Sequence, residues 1–157
     1  MNSVTKYKFF GGLILILFLG ASVIYGIRFY RDRADLKALA DYNTYLDKFK
    51  NDTIGGKTPE ETLKMFVAAL KKGDVELASQ YFSLDDKGSR QKWVDYLKSV
   101  QSKNLLVTMA NDIEKEARPF GNASSGRFTY KIYDKDGTVG VTIDLSKNID
   151  TWKIISL

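Results

Sequence analysis

The sequence predicts an α+β chain, in which an N-terminal transmembrane helix is followed by three or four helices packed on an antiparallel sheet of at least three strands. Three observations carry this. An uncharged stretch runs without interruption from Phe9 to Ile27. From Thr58 to Lys115, apolar residues recur at every third or fourth position, the period of a helix. From Phe128 to the end they alternate with polar ones, the period of a half-buried strand. Helices first and an antiparallel meander last is the element order of an α+β domain.

Residues 1–8 form a short basic tail carrying Lys6 and Lys8. Residues 9–27 follow, 19 positions without a charge. A membrane-crossing helix needs about 20 apolar residues to span a hydrocarbon core about 30 Å thick. Arg28, Arg31 and Arg33 come directly after. Long basic side chains lay their stems along apolar surface and keep the charge in water. Lys6, Lys8, Arg28, Arg31 and Arg33 are therefore the expected membrane-interface anchors, and a lipid bilayer is the first expected partner. A cleaved signal peptide is the rival reading, with Gly20, Ala21 and Ser22 near a cleavage site. Against it, the apolar run continues through Val23, Ile24, Tyr25 and Ile27. Leu19-Gly20-Ala21 resembles a lipoprotein signal, but Ser22 stands where the lipidated Cys would be. The stretch reads as an uncleaved single-pass anchor. The flanking charges give a slight vote for a cytoplasmic C-terminal domain.

Composition excludes more chemistry than it suggests. The chain has no Cys, which removes disulfides and thiolate metal sites, and no His, the commonest general base and transition-metal ligand. The net charge is +5, but it is unevenly spread. There are 9 Lys+Arg against 5 Asp+Glu up to Thr58, and 15 against 14 from Pro59 onward. The excess lies beside the apolar stretch, where basic residues meet anionic lipid. The remainder has no basic stripe, so nucleic acid is not an expected partner.

Residues 28–50 predict a juxtamembrane amphipathic helix, with Leu36, Leu39, Leu46 and Phe49 on one face. That face suits self-association or a protein partner, or packing on the chain's own domain or on headgroups. Residues 51–57, with two glycines and three polar residues, read as a hinge or linker. The domain proper is expected over 58–157. Thr58-Pro59-Glu60-Glu61 is a helix start, with a capping threonine, a proline at the first helical position and a glutamate completing a capping box. Gly73 ends that helix and Asp74 caps a short second one. Ser83–Ser89 is a turn region. A third helix presents Trp93, Val94, Tyr96, Leu97 and Val100 as its buried side. Asn104 to Lys115 predicts a fourth, with Asn104 as its cap, ending before Arg118-Pro119. Phe128, Tyr130 and Ile132 mark a strand, Asp134–Gly137 a hairpin turn, and Val139, Val141, Ile143 and Leu145 a second strand. Ser146–Asp150 predicts another turn and Thr151–Leu157 a third strand.

No glycine-rich phosphate loop, nucleophile elbow or carboxylate pair is present. Asp85-Asp86 beside Gly88 lacks the ligand spacing of a calcium loop and reads as a solvated turn. No catalytic residue, metal site or cofactor is expected. Tyr81, Trp93, Tyr96 and Tyr130 are the candidate lining of a small-molecule cavity, although aromatics at such spacing equally suit core packing.

Two stretches support a resemblance to a family. Glu61-Thr-Leu-Lys-Met-Phe-Val-Ala-Ala-Leu-Lys-Lys-Gly-Asp74, followed by Leu77-Ala-Ser-Gln-Tyr-Phe82, resembles the opening of the nuclear transport factor 2-like superfamily. Trp152-Lys153-Ile154 resembles its last strand. The nearest flavour is that of small uncharacterised bacterial domains behind a lipoprotein signal or membrane anchor. The resemblance implies a curved antiparallel sheet wrapping a long helix into a cone. Enzymes of the superfamily place Asp, His or Tyr inside the cone. Here Tyr130, Tyr133 and Asp144 are the available groups, and Asp144 should face away from the apolar positions. The resemblance also implies an extracytoplasmic domain, which outweighs the slender charge count. The expectation is a single-pass, membrane-anchored, extracytoplasmic binding or interaction domain, not an enzyme. The alternatives are an assembly subunit of a bacterial cell-envelope machine, such as type IV secretion or conjugation, and a small-molecule enzyme of the same superfamily.

Overall fold

A computed structural model describes residues 3–157, apart from the side chains of residues 3–16 and of residue 34. The chain is α+β, with five α-helices and one four-stranded antiparallel sheet among the described residues. It divides into two compact units, residues 1–44 and residues 45–157. Helix α1 (Ser3–Lys50) contributes to both.

In the first unit, large apolar side chains from Leu17 to Tyr42 are exposed, among them Phe18, Ile24, Tyr25, Leu36 and Leu39. Among the described residues no helix is long and apolar enough to cross a membrane. Residues 9–16 of the expected span, and the anchors Lys6 and Lys8, lie outside the residues whose side chains are described.

The second unit opens with the last turn and a half of α1, where Tyr45, Leu46 and Phe49 are half-buried and the rings of Tyr45 and Phe49 stack. Helix α2 (Pro59–Lys72) starts as its sequence dictates. Thr58 accepts from the Glu61 N–H at 3.1 Å. The Glu61 carboxylate reaches back one residue further than expected and accepts from the Lys57 N–H at 2.7 Å. Gly73 closes the helix in the left-handed region at φ 72°, where a side chain would be strained. Asp74 caps α3 (Val75–Gln80) by accepting from the Leu77 N–H.

Helix α4 (Gln91–Ser102) buries only Leu97 fully, and of the five residues expected on its inner side Tyr96 is exposed. Helix α5 (Leu106–Glu116) has no side-chain cap. Asn104 was the expected cap, but it sits at φ 57° in the turn, a conformation that asparagine tolerates better than most residues.

The sheet has the order β1-β2-β3-β4. Strand β1 (Arg118–Phe120) is an addition to the expected three; it pairs with β2 (Arg127–Tyr133) and carries Pro119 on the sheet's edge, where a missing N–H costs no ladder bond. Strand β3 (Val139–Asn148) follows the Asp134–Gly137 turn, in which Gly137 takes φ 84°. The next turn is shorter than expected: β3 continues to Asn148 and faces Thr151 of β4 (Thr151–Ser156) across two residues.

The core joins α2, α3, α4 and α5 to one sheet face through Phe66, Leu70, Ala78, Phe82, Leu97, Ala110, Ile143, Leu145 and Ile154, all of them fully buried. Phe66 meets Phe82 edge-on at 5.4 Å, and Phe82 stacks on Trp93 at 4.0 Å. Burying each of the larger side chains contributes roughly 1.5–3 kcal/mol.

The segment 51–57 is not the free hinge its composition suggests. The outer edge of β4 donates from Trp152 N–H to the Gly56 carbonyl and from Ile154 N–H to the Tyr81 carbonyl, both at 2.9 Å. This covers an edge that would otherwise offer unpaired backbone groups. Thr62, fully buried, accepts from the Gly56 N–H at 2.9 Å and holds its hydroxyl 3.1 Å from the Trp152 carbonyl. A Cβ on Gly56 would lie 2.6 Å from both Glu61 Cβ and Thr62 N, so only glycine fits here.

Candidate functional site

Two places in the 45–157 unit combine buried polar chemistry with a cavity. The first surrounds Lys153, whose side chain is fully buried. Its Nζ donates to Asp52 Oδ1 and, at 2.9 Å, to the Gln80 carbonyl. Asp52 Oδ2 pairs with the Arg90 guanidinium, which also donates to the Phe82 carbonyl. Burial pushes the Lys153 ammonium below the ordinary lysine range; hydrogen bonding and attraction from Asp52 oppose this, and Arg90 adds to it. Burying one ammonium is costly unless it is paired and hydrogen-bonded, and here each charge has partners. A cavity of about 310 Å³ lies beside the cluster, lined by Lys48, Asp52, Gln80 and Arg90 among others.

The second is a cleft of about 770 Å³ between α2, α5, the β1 edge and β2. Its walls are mostly apolar: Leu63 and Val67 from α2, Ile113 from α5, then Ala117, Pro119 and Phe128. The register explains why they meet. Pro119 lies opposite Tyr130, and Phe128 and Tyr130 share a face of β2 with their rings edge-on at 5.1 Å. Tyr130 is 7% exposed and lines the cleft; its hydroxyl makes no hydrogen bond to another described residue and keeps access to solvent. Burial, with a smaller contribution from Glu60, pushes this phenol above its ordinary value. It therefore stays protonated at neutral pH and can donate. Four charged residues on the cleft walls pair off. Lys64 meets Glu60 at 2.9 Å and Lys71 meets Glu114 at 2.7 Å, which leaves the rim without net charge. Among the described residues the one fully buried side-chain polar atom without a partner is Asn148 Oδ1, which lines neither cavity.

Of the four aromatics expected to line a cavity, the structure brings only Tyr130 to the cleft. Tyr81 is buried at the end of α3, with its phenol pushed above the ordinary value by burial and then by Asp74. Trp93 covers Phe82, and Tyr96 packs edge-on against Trp93 with 43% of its surface exposed. These three serve packing around α4. Asp144 does face away from the apolar side: it accepts from Thr129 and Ser156, each at 2.7 Å, in a cross-strand polar row. Tyr133 is 43% exposed at the end of β2. Arg28, Arg31 and Arg33 are exposed on α1, the last with its guanidinium 4.5 Å from the Phe29 ring centre. No group of acidic residues able to hold a metal ion occurs among the described residues.

Sequence reasoning missed Leu63, Val67 and Ile113 as cleft residues because their periodicity marks them simply as an inner face. It missed Lys153 because its strand neighbours, Trp152 and Ile154, gave the only visible signal. No family model, curated protein or solved structure matches the chain.

Proposed function

We propose that this chain is a single-pass, membrane-anchored, extracytoplasmic domain that binds a small, largely apolar molecule and carries out no catalysis. The observation that carries the reading is the cleft: its volume lies within the roughly 300–1,000 Å³ usual for ligand sites, its walls are mostly apolar, and the Tyr130 hydroxyl on its wall makes no bond to another described residue and can orient a ligand. Tyr130 is a poor general base at neutral pH, because burial moves its titration away from neutrality. The helix–Gly–Asp–helix opening at 61–82 and the Trp152-Lys153-Ile154 ending favour a nuclear transport factor 2-like domain.

The anchor rests on the uncharged stretch Phe9–Ile27 and its flanking cations. Exposed Phe18, Ile24 and Tyr25 on α1 support it, since so much unpartnered apolar surface calls for a cover, and lipid is one. A chain without cysteine allows a direct test of sidedness. Lys72→Cys, on the exposed end of α2, should react with a membrane-impermeant maleimide on intact cells. Reaction only after permeabilisation would place the domain inside. A second reading, a subunit of an envelope assembly, is favoured by Leu36, Leu39 and Tyr42, exposed further along α1. Co-purification of a large envelope complex in mild detergent supports that reading, and a monodisperse monomer opposes it.

A further inference from the structure

We infer that the α2–α5–β2 cleft takes an uncharged, mainly apolar molecule that presents one hydrogen-bond acceptor, such as a ketone or ester carbonyl, to the Tyr130 hydroxyl. This rests on the reading of the cleft as a binding site and specifies its ligand.

Two independent features lead there. The first is the hydroxyl. Its residue is only 7% exposed and lines the cleft, and the hydroxyl keeps access to solvent while making no bond to another described residue. In the empty cleft, water can serve it. A ligand that fills the cleft displaces that water and must replace its bond, or it strands a buried donor. The phenol has a proton to give, so the matching ligand group is an acceptor.

The second feature is the charge pattern. Lys64 is paired with Glu60, and Lys71 with Glu114, so the rim carries no net charge to draw in an anionic or a cationic head. A charged ligand would lose hydration against Leu63, Val67, Ile113 and Phe128, and a rim of balanced charge offers it no net attraction in return. An uncharged ligand meets no such penalty.

The test uses the full chain in lipid nanodiscs, with protein-free nanodiscs correcting for partition into lipid. Three probes of one length are titrated while backbone amide NMR shifts are followed: methyl hexyl ketone, its carbon isostere with C=CH₂ in place of C=O, and octanoate. The ketone should shift Leu63, Val67, Ile113 and Phe128 and bind more tightly than the other two. Tyr130→Phe should weaken the ketone roughly 3- to 10-fold and tighten the isostere, a crossover that simple loss of packing does not produce. Ala68→Trp, which places a large ring over the cleft from an exposed position on α2, should abolish binding of the ketone. If ketone and isostere bind equally in both proteins, or if octanoate binds best, the ligand class is wrong while the cleft remains a binding site. If no probe shifts a cleft residue, or if Ala68→Trp leaves binding unchanged, both the class and the site fall.

Discussion

Around Asp52, a fully buried Lys153 ammonium, the carboxylate and a half-buried Arg90 guanidinium are all engaged by one another or by backbone carbonyls. At the cleft, the hydroxyl of the largely buried Tyr130 is uncharged, keeps access to solvent and makes no bond to another described residue. The first region carries the more expensive chemistry and satisfies it. The second carries the cheaper group and leaves it open. Satisfied buried groups hold a fold together, whereas a donor that meets only solvent in a cleft contributes little to the fold and is available to a ligand. The contrast assigns Asp52, Arg90 and Lys153 to structure, joining the end of α1 to β4, and Tyr130 to binding.

The strongest way to break this contrast is at Asp52. Asp52→Ala leaves the fully buried Lys153 ammonium beside the half-buried Arg90 without their shared counter-ion. A loss of about 3–5 kcal/mol in unfolding free energy is expected. Both tryptophans, Trp93 and Trp152, lie in this unit, so their fluorescence through denaturant unfolding reports it directly. A cost under about 1 kcal/mol would mean that the cluster behaves as an exposed surface pair. Next in size is Thr62→Val, which keeps the shape but removes the hydroxyl serving Gly56 N–H and the Trp152 carbonyl. It should cost about 1–3 kcal/mol by the same measurement.

The pH dependence of stability separates the two regions by sign. Lys153 titrates below its ordinary 10.5 in the folded chain, so the unfolded chain binds more protons between that lowered value and 10.5. Its burial penalty is therefore fully present at lower pH, and stability should rise through this window. Tyr130 titrates above its ordinary 10.0 when folded, so the folded chain holds the extra proton and stability should fall as pH rises past 10.0. Unfolding of Lys153→Met across alkaline pH should lack the rising contribution, and that of Tyr130→Phe should lose part of the falling one.

The sequence made some of this visible and hid the rest for definable reasons. The boundary between α2 and α3 was legible because Thr58, Pro59, Glu61, Gly73 and Asp74 act on backbone groups within a few residues. The Asp134–Gly137 hairpin was legible for the same reason. Alternation along β2 placed Tyr130 on the apolar face, where it lies. What stayed hidden was non-local. Asp52 and Lys153 are 101 residues apart, and nothing near either one announces the other. Glycines and polar residues made 51–57 look like a linker, although the Gly56 carbonyl takes a hydrogen bond from the edge of β4. Strand β1 has three residues, one of them proline, too short a run for any pattern. Tyr81, Trp93 and Tyr96 were indistinguishable from Tyr130 by type, because periodicity names an inward face and does not say which part of it borders a void.

The smallest expected effect is also the most direct test. Tyr130→Phe removes one oxygen that holds no other part of the protein. Its unfolding free energy at neutral pH, read from the two tryptophans in the full chain, should stay within about 0.5 kcal/mol of the unaltered protein. A loss of about 1–3 kcal/mol, the cost of deleting a hydroxyl engaged in the fold, would contradict the assignment of Tyr130 to binding.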